Sequence, residues 1–166
     1  MKKLILVRHA KSDWGNDTLR DIDRPLNERG YDAAYRISEW YKKNHDTPEL
    51  IISSDATRAI STAAIFAREL KTDTAKIILT SKVYEADVAT LMGYLKNLPN
   101  EFNSVMIFGH NPGFTDLANA LNSELFFENV PTCGLIGMEL EIKKWSEARE
   151  NCAKVYTQKF PKEFKQ

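Results

Sequence analysis

Two arginines, two histidines and a glutamate follow short apolar runs in this chain, and together they suit phosphoryl chemistry. Arg8-His9 comes directly after Leu4–Val7. Ser53-Ser54 closes the run that begins at Leu50, with Arg58 a few residues on. Glu85 lies a short way beyond Lys76–Thr80. His110 follows Ser104–Gly109, and Asn111-Pro112 behind it reads as the start of a helix. A phosphate dianion needs cationic, fork-shaped donors, and arginine supplies them bidentately. A helix N-terminus behind His110 adds free backbone N–H groups and a partial positive charge. Imidazole carries a lone pair without help from a base, and neighbouring arginine charges favour its neutral form. His9 is therefore a competent nucleophile at neutral pH, and the same arginines would hold the phosphohistidine it forms. Glu85 is the carboxylate placed to protonate a leaving group and then to activate water, with Asp87 close enough in sequence to be mistaken for it.

Each of these residues alone has an ordinary structural reading, so the weight rests on the elements that bring them together. Lys3–Val7, Leu50–Ser53, Lys76–Thr80 and Ser104–Gly109 are continuous apolar runs, as expected of strands covered on both faces by helices. Between them lie helical patterns. Ala33, Ala34, Ile37, Trp40 and Tyr41 fall on one face, as do Ile60, Ala63, Ala67 and Leu70. Val88, Leu91, Met92, Leu95 and Leu98 repeat the pattern, followed by Phe114, Leu117, Ala118 and Leu121. Asp55 is expected to cap the second helix, and Asn111 with Pro112 to form the N-cap and first position of the fourth. Gly134–Ile142 and Cys152–Lys159 read as a β-hairpin around a turn near Trp145–Asn151. The expected fold is a three-layer α/β/α sandwich with a mostly parallel sheet and an antiparallel edge. Ligands of such sheets bind beyond the carboxyl ends of the strands, where all five residues would meet.

Bulk properties narrow the function classes. The 166 residues fit a single domain spanning 1–166, with 43% hydrophobic and 28% charged residues. Lys plus Arg equals Asp plus Glu at 23 each, and no basic stripe stands out, so no nucleic-acid partner is expected. The apolar stretch behind Met1-Lys2-Lys3 stops after four residues at Arg8, short of the roughly 7–15 a signal sequence needs. No later run approaches a membrane span. Cys133 and Cys152 have no metal-type spacing and are expected to be free, buried thiols, which suits a cytoplasmic location. His45 sits in a polar Lys-Lys-Asn-His-Asp stretch and is expected at the surface.

The motifs resemble those of the histidine phosphatase superfamily, whose members share the phosphoglycerate mutase-like fold. Leu6-Val7-Arg8-His9-Ala10-Lys11-Ser12 resembles its opening Arg-His signature. Ser53–Ala59 with Thr62-Ala63 resembles the second-arginine motif, and Val83-Tyr84-Glu85-Ala86 the acid-bearing segment. Gly109–Gly113 resembles the second-histidine motif, and Arg24-Pro25-Leu26 with Glu28-Arg29-Gly30 adds a further match. The likeness runs from residue 3 to about 140 and is greatest to the short SixA-type phosphohistidine phosphatases. It implies His9 as nucleophile, Arg8, Arg58 and His110 as phosphoryl ligands with His110 part of the catalytic set, and Glu85 as proton donor. It implies neither metal nor organic cofactor. The partner would be a phosphorylated small molecule or a phosphohistidine-bearing protein. Ala10, Asp55 and Ser61 depart from the residues frequent in the superfamily, and Asp55 is expected near the phosphate rim. The chain lacks room for the insertions of the longer mutases. A phospho-ligand binding module of the same fold is the alternative, although a pure binder would need neither His9 nor Glu85.

Overall fold

Alternation along β1 (Lys2–Arg8) sets the layers of this fold: Leu4 and Leu6 face one way, Ile5 and Val7 the other, and all four are buried. A strand buried on both faces needs helices on both, and the chain supplies them. The computed structural model describes residues 1–164, so the last two positions of the expected 1–166 domain lie outside the described residues. After β1 come α1 (Glu28–Asn44), β2 (Leu50–Ser54), α2 (Thr57–Glu69) and β3 (Ile78–Thr80). Then follow α3 (Val88–Lys96), β4 (Ser104–Gly109), α4 (Gly113–Leu121), β5 (Leu135–Leu140) and β6 (Ala153–Lys159).

The six strands form one sheet in the order β3-β2-β4-β1-β5-β6. β3, β2, β4 and β1 are parallel, whereas β5 runs antiparallel to both β1 and β6. Residues of α1 and α2, among them Ala34, Ile37, Tyr41, Ala63 and Phe66, pack with Ile5, Val7, Met106 and Phe108 on one face. Leu91, Leu95, Phe114, Leu117 and Leu121 of α3 and α4 pack with Leu4, Leu6, Val105 and Ile107 on the other. The α/β/α sandwich and its antiparallel edge are thus as expected. Both cysteines are free and buried, also as expected. No helix among the described residues is long and apolar enough to cross a membrane.

Four details differ from expectation. The third strand is only Ile78–Thr80, because Thr74–Lys76 forms a 3₁₀ turn. It lies at the sheet edge, where Ile78 and Leu79 remain 45% and 51% exposed rather than covered on both faces. Asp55 does not cap α2: Ala56 holds that position, and the buried Oδ1 of Asp55 has no hydrogen-bond partner among the described residues. α4 starts one residue late, at Gly113, with Pro112 at its N-cap. Asn111 still serves the first turn, since its Oδ1 accepts from the Thr115 backbone N–H at 3.2 Å and hydroxyl at 2.9 Å. His45 is half-buried rather than surface-lying. Its Nε2 meets the Thr157 hydroxyl at 2.9 Å, and Trp40, Tyr41 and Tyr156 surround the ring.

Candidate active site

The strand register assembles the site. Arg8 pairs with Gly109 across the parallel β1–β4 ladder, so the residues that follow, His9 and His110, emerge side by side. The His9 N–H donates to the Gly109 carbonyl at 2.9 Å, and the two rings stand 5.2 Å apart, tilted by 51°. β2 flanks β4 on the other side and delivers Ser54, whose hydroxyl lies 2.8 Å from His110 Nε2. Helices α1–α2 and α3–α4 lie on opposite faces of the sheet, so the winding changes sides beside β1 and β4, which is where open α/β sheets bind ligands.

Ring orientation follows from hydrogen bonds. His9 Nδ1 lies 2.7 Å from the Ala10 carbonyl, which can only accept. The proton is therefore on Nδ1, and Nε2 keeps its lone pair. The Ala10 N–H donates to Thr62 Oγ1 at 3.0 Å, and that hydroxyl donates to the Arg58 carbonyl at 2.8 Å, tying the His9 turn to α2. From above, the Cys133 N–H donates to the Arg8 and His9 carbonyls, both at 3.0 Å. Ser54 Oγ accepts from the Ala56 N–H at 3.1 Å and meets His110 Nε2 at 2.8 Å. His110 Nδ1 lies 3.5 Å from both Glu85 Oε1 and Arg58 Nη2.

Burial and cations keep both imidazoles neutral. Burial is the main cause that pushes His9 down to about 4, with the charges of Arg58, Arg8 and Arg24 adding to it against the Ala10 hydrogen bond. Burial first, then His9 and Arg58, push His110 down to about 3. Arg58 is only 2% exposed. Its Nη1 donates to the Asp21 carbonyl at 2.7 Å, and its Nη2 to Asp21 Oδ2 at 3.0 Å and Glu85 Oε1 at 3.1 Å. Arg8 donates through Nη1 to the Val130 carbonyl at 2.9 Å. The Nε groups of Arg8 and Arg58 are buried with no acceptor among the described residues. Glu85 holds a φ of 49°, in the left-handed region that costs a non-glycine residue on the order of 1 kcal/mol.

All five residues singled out from the sequence thus line one cleft, together with Lys11, Ser12, Trp14, Asp21, Arg24, Asn111 and Thr132. Asp87, near Glu85 in sequence, is instead the N-cap of α3, accepting from the Thr90 N–H at 2.8 Å. Asp55 is not among the lining residues. Asp21 was missed. Burial alone would raise its carboxyl, but hydrogen bonds from Tyr84, Arg58 and Arg24, with the Arg58 charge, together hold it down at about 2. It bridges Arg58 to Arg24, whose Nη2 meets Asp21 Oδ1 at 3.1 Å. Arg24 was visible in its Arg-Pro-Leu match, whereas Asp21 lies in a polar stretch with no periodicity to mark it.

A mostly parallel sheet whose central strand ends place two neutral histidines among buried arginines defines an α/β protein with a cationic, histidine-bearing cleft. Its family follows from comparison: residues 4–107 match the model of the histidine phosphatase superfamily (branch 1), and the chain belongs to that superfamily. An uncharacterised chloroplastic protein of Arabidopsis thaliana is 29% identical over 159 residues, covering 89% of this chain and 70% of its own. The Agrobacterium tumefaciens protein assigned as phosphohistidine phosphatase SixA superimposes with a TM-score of 0.80 at 27% identity, covering 96% of this chain and 98% of its own. A protein histidine phosphatase SixA solved with tungstate shares the fold, with a TM-score of 0.81 at 20% identity over 96% of this chain and 97% of its own. The SixA-type likeness of the motifs agrees with these neighbours.

Proposed function

We propose that this chain is a metal-independent phosphatase that removes a phosphoryl group, from phosphohistidine or a small phosphomonoester, through an intermediate on His9. The observation that carries the reading is the Nδ1 contact of His9 to the Ala10 carbonyl at 2.7 Å in a buried, neutral ring, which leaves Nε2 as the free base. In the first step the Nε2 lone pair attacks phosphorus. The Nε2–P bond forms as the bond from phosphorus to the leaving group breaks, and the leaving atom takes that electron pair and a proton from Glu85. In the second step water attacks phosphorus and gives its proton to Glu85. The P–Nε2 bond breaks, its pair returns to the imidazole, and inorganic phosphate departs. Arg8, Arg58 and His110 hold the phosphoryl oxygens throughout, as preorganised donors to the charge that develops there. The SixA protein supports phosphohistidine as substrate class, and an imidazole leaves more readily than an alkoxide. Glu85 keeps phosphomonoesters within reach.

Rapid-quench trapping with a ³²P-labelled phosphoryl donor tests this. Label is expected on His9, and His9→Ala should lose on the order of a thousandfold in turnover. Undiminished turnover in that variant overturns the mechanism. The arginines supply the positive charge that a metal would otherwise bring. EDTA should therefore leave the rate unchanged, and a loss restored by zinc or magnesium would refute metal independence.

A further inference from the structure

Trp14 lines the catalytic cleft yet leaves 74% of its surface to solvent. Core packing does not account for it, in contrast to Trp145, which is fully buried. One face of the indole is occupied, because the Arg24 guanidinium carbon lies 3.4 Å from the ring centre. Arg24 is itself only 8% exposed. Its Nη1 donates to Ser12 Oγ at 3.0 Å, and its Nη2 and Nε to Asp21 Oδ1 at 3.1 and 3.3 Å. The turn that carries Trp14 is pinned as well. Ser12 bridges Leu26, the Asp13 N–H donates to the Pro25 carbonyl at 2.8 Å, and the Gly15 N–H donates to Asp13 Oδ1 at 2.7 Å. The indole is thus a fixed platform at the mouth of the phosphoryl pocket, backed by a cation, with its other face open.

We propose that Trp14 forms a subsite that stacks a planar, π-bearing group attached to the substrate's phosphorus, so that the cleft selects flat leaving groups over aliphatic ones. This rests on the reading of the cleft as a phosphoryl pocket. An imidazole or aryl ring beside the indole gains offset stacking that an alkyl chain lacks, worth about three- to tenfold in affinity. The cleft measures about 310 Å³, at the small end for ligand sites, which suits a phosphoryl group with one ring beside it.

Phosphonates separate this subsite from turnover, because their carbon–phosphorus bond survives a phosphatase. Binding of phenylphosphonate and methylphosphonate would be measured by calorimetry on the wild type, Trp14→Ala and Trp14→Phe. The wild type should bind phenylphosphonate about three- to tenfold more tightly. Trp14→Ala should bring the two affinities together by weakening phenylphosphonate alone, and Trp14→Phe should keep most of the preference. Equal affinities in the wild type, a preference that survives Trp14→Ala, or equal weakening of both ligands would each overturn the subsite. Failure of the wild type to bind either phosphonate would reject the phosphoryl pocket itself.

Discussion

Glu85 shares one guanidinium nitrogen of Arg58 with Asp21, at 3.1 and 3.0 Å, yet the two carboxylates are not equivalent. Asp21 is locked by Tyr84, Arg58 and Arg24 and held down at about 2, so it stays ionised and has no proton to give. Glu85 has no such lock: its partners are Arg58 and, at 3.5 Å, His110. The proposed mechanism therefore assigns the proton transfer to Glu85 rather than to Asp21. Glu85→Gln keeps size and hydrogen bonding and removes the proton. On alkyl phosphates the loss should be about a hundredfold or more. On p-nitrophenyl phosphate and phosphohistidine, whose leaving groups need less help, the loss should be smaller. Steady-state kinetics on the three substrates decide it. Equal losses would assign Glu85 to binding, and negligible loss on all would move the proton to another group.

At the scale of elements, the stretch that carries Glu85 packs against a helix to which it does not belong. Gly113 opens α4, and a Cβ there would stand 2.1 Å from the Ala86 carbonyl, next to Glu85, and 3.1 Å from Leu91 of α3. The backbone approach, not any helical preference, requires glycine, since alanine is the better helix former. Gly113→Ala should push the Glu85–Ala86 stretch off the start of α4. Stability should fall by about 1–3 kcal/mol, read from urea denaturation. Turnover should fall most on alkyl phosphates, which depend on the acid. A variant as stable and active as the wild type would show that the contact yields freely. The same reasoning explains what was readable from sequence. β1 and β4 are buried on both faces, so Leu4–Val7 and Val105–Phe108 appear as unbroken apolar runs that point straight to His9 and His110. The stretch from Asp13 to Asp23 is held by side chains rather than by a buried face. No periodicity announces Trp14 or Asp21, and only Arg24 had a motif around it. Asp55 misled because it stands just ahead of a helix whose N-cap is Ala56 instead, with the Ala56 N–H donating to the Ser54 hydroxyl.

For the molecule as a whole, burying two neutral histidines makes stability depend on pH. Their values in the folded state, about 4 for His9 and about 3 for His110, lie below the ordinary 6.5 that the unfolded chain regains. Above 6.5 both states are neutral and neither group contributes a slope. As pH falls from 6.5 toward 4, the unfolded chain takes up protons that the folded one refuses, so stability drops. The loss levels off only once the folded state is protonated too. Between pH 7.5 and 5, His9 alone should lower stability by about 2 kcal/mol, at 1.36 kcal/mol per unit of difference in proton affinity. His110 acts in the same sense, coupled to His9 because the rings face each other at 5.2 Å. His45, also shifted down by burial, adds a smaller term of the same sign. Asp21 joins below 3.8 and is lost toward 2, but half of it is exposed and its share is correspondingly screened. Urea denaturation of the wild type at pH 7.5 and 5 should therefore show a clear fall in midpoint at constant slope. His9→Gln with His110→Gln should retain only the small His45 remainder. An equal fall in the double variant would place the titrating groups outside the cleft. Saturating inorganic phosphate should flatten the wild-type curve, because a bound dianion beside the histidines restores their affinity for protons in the folded state.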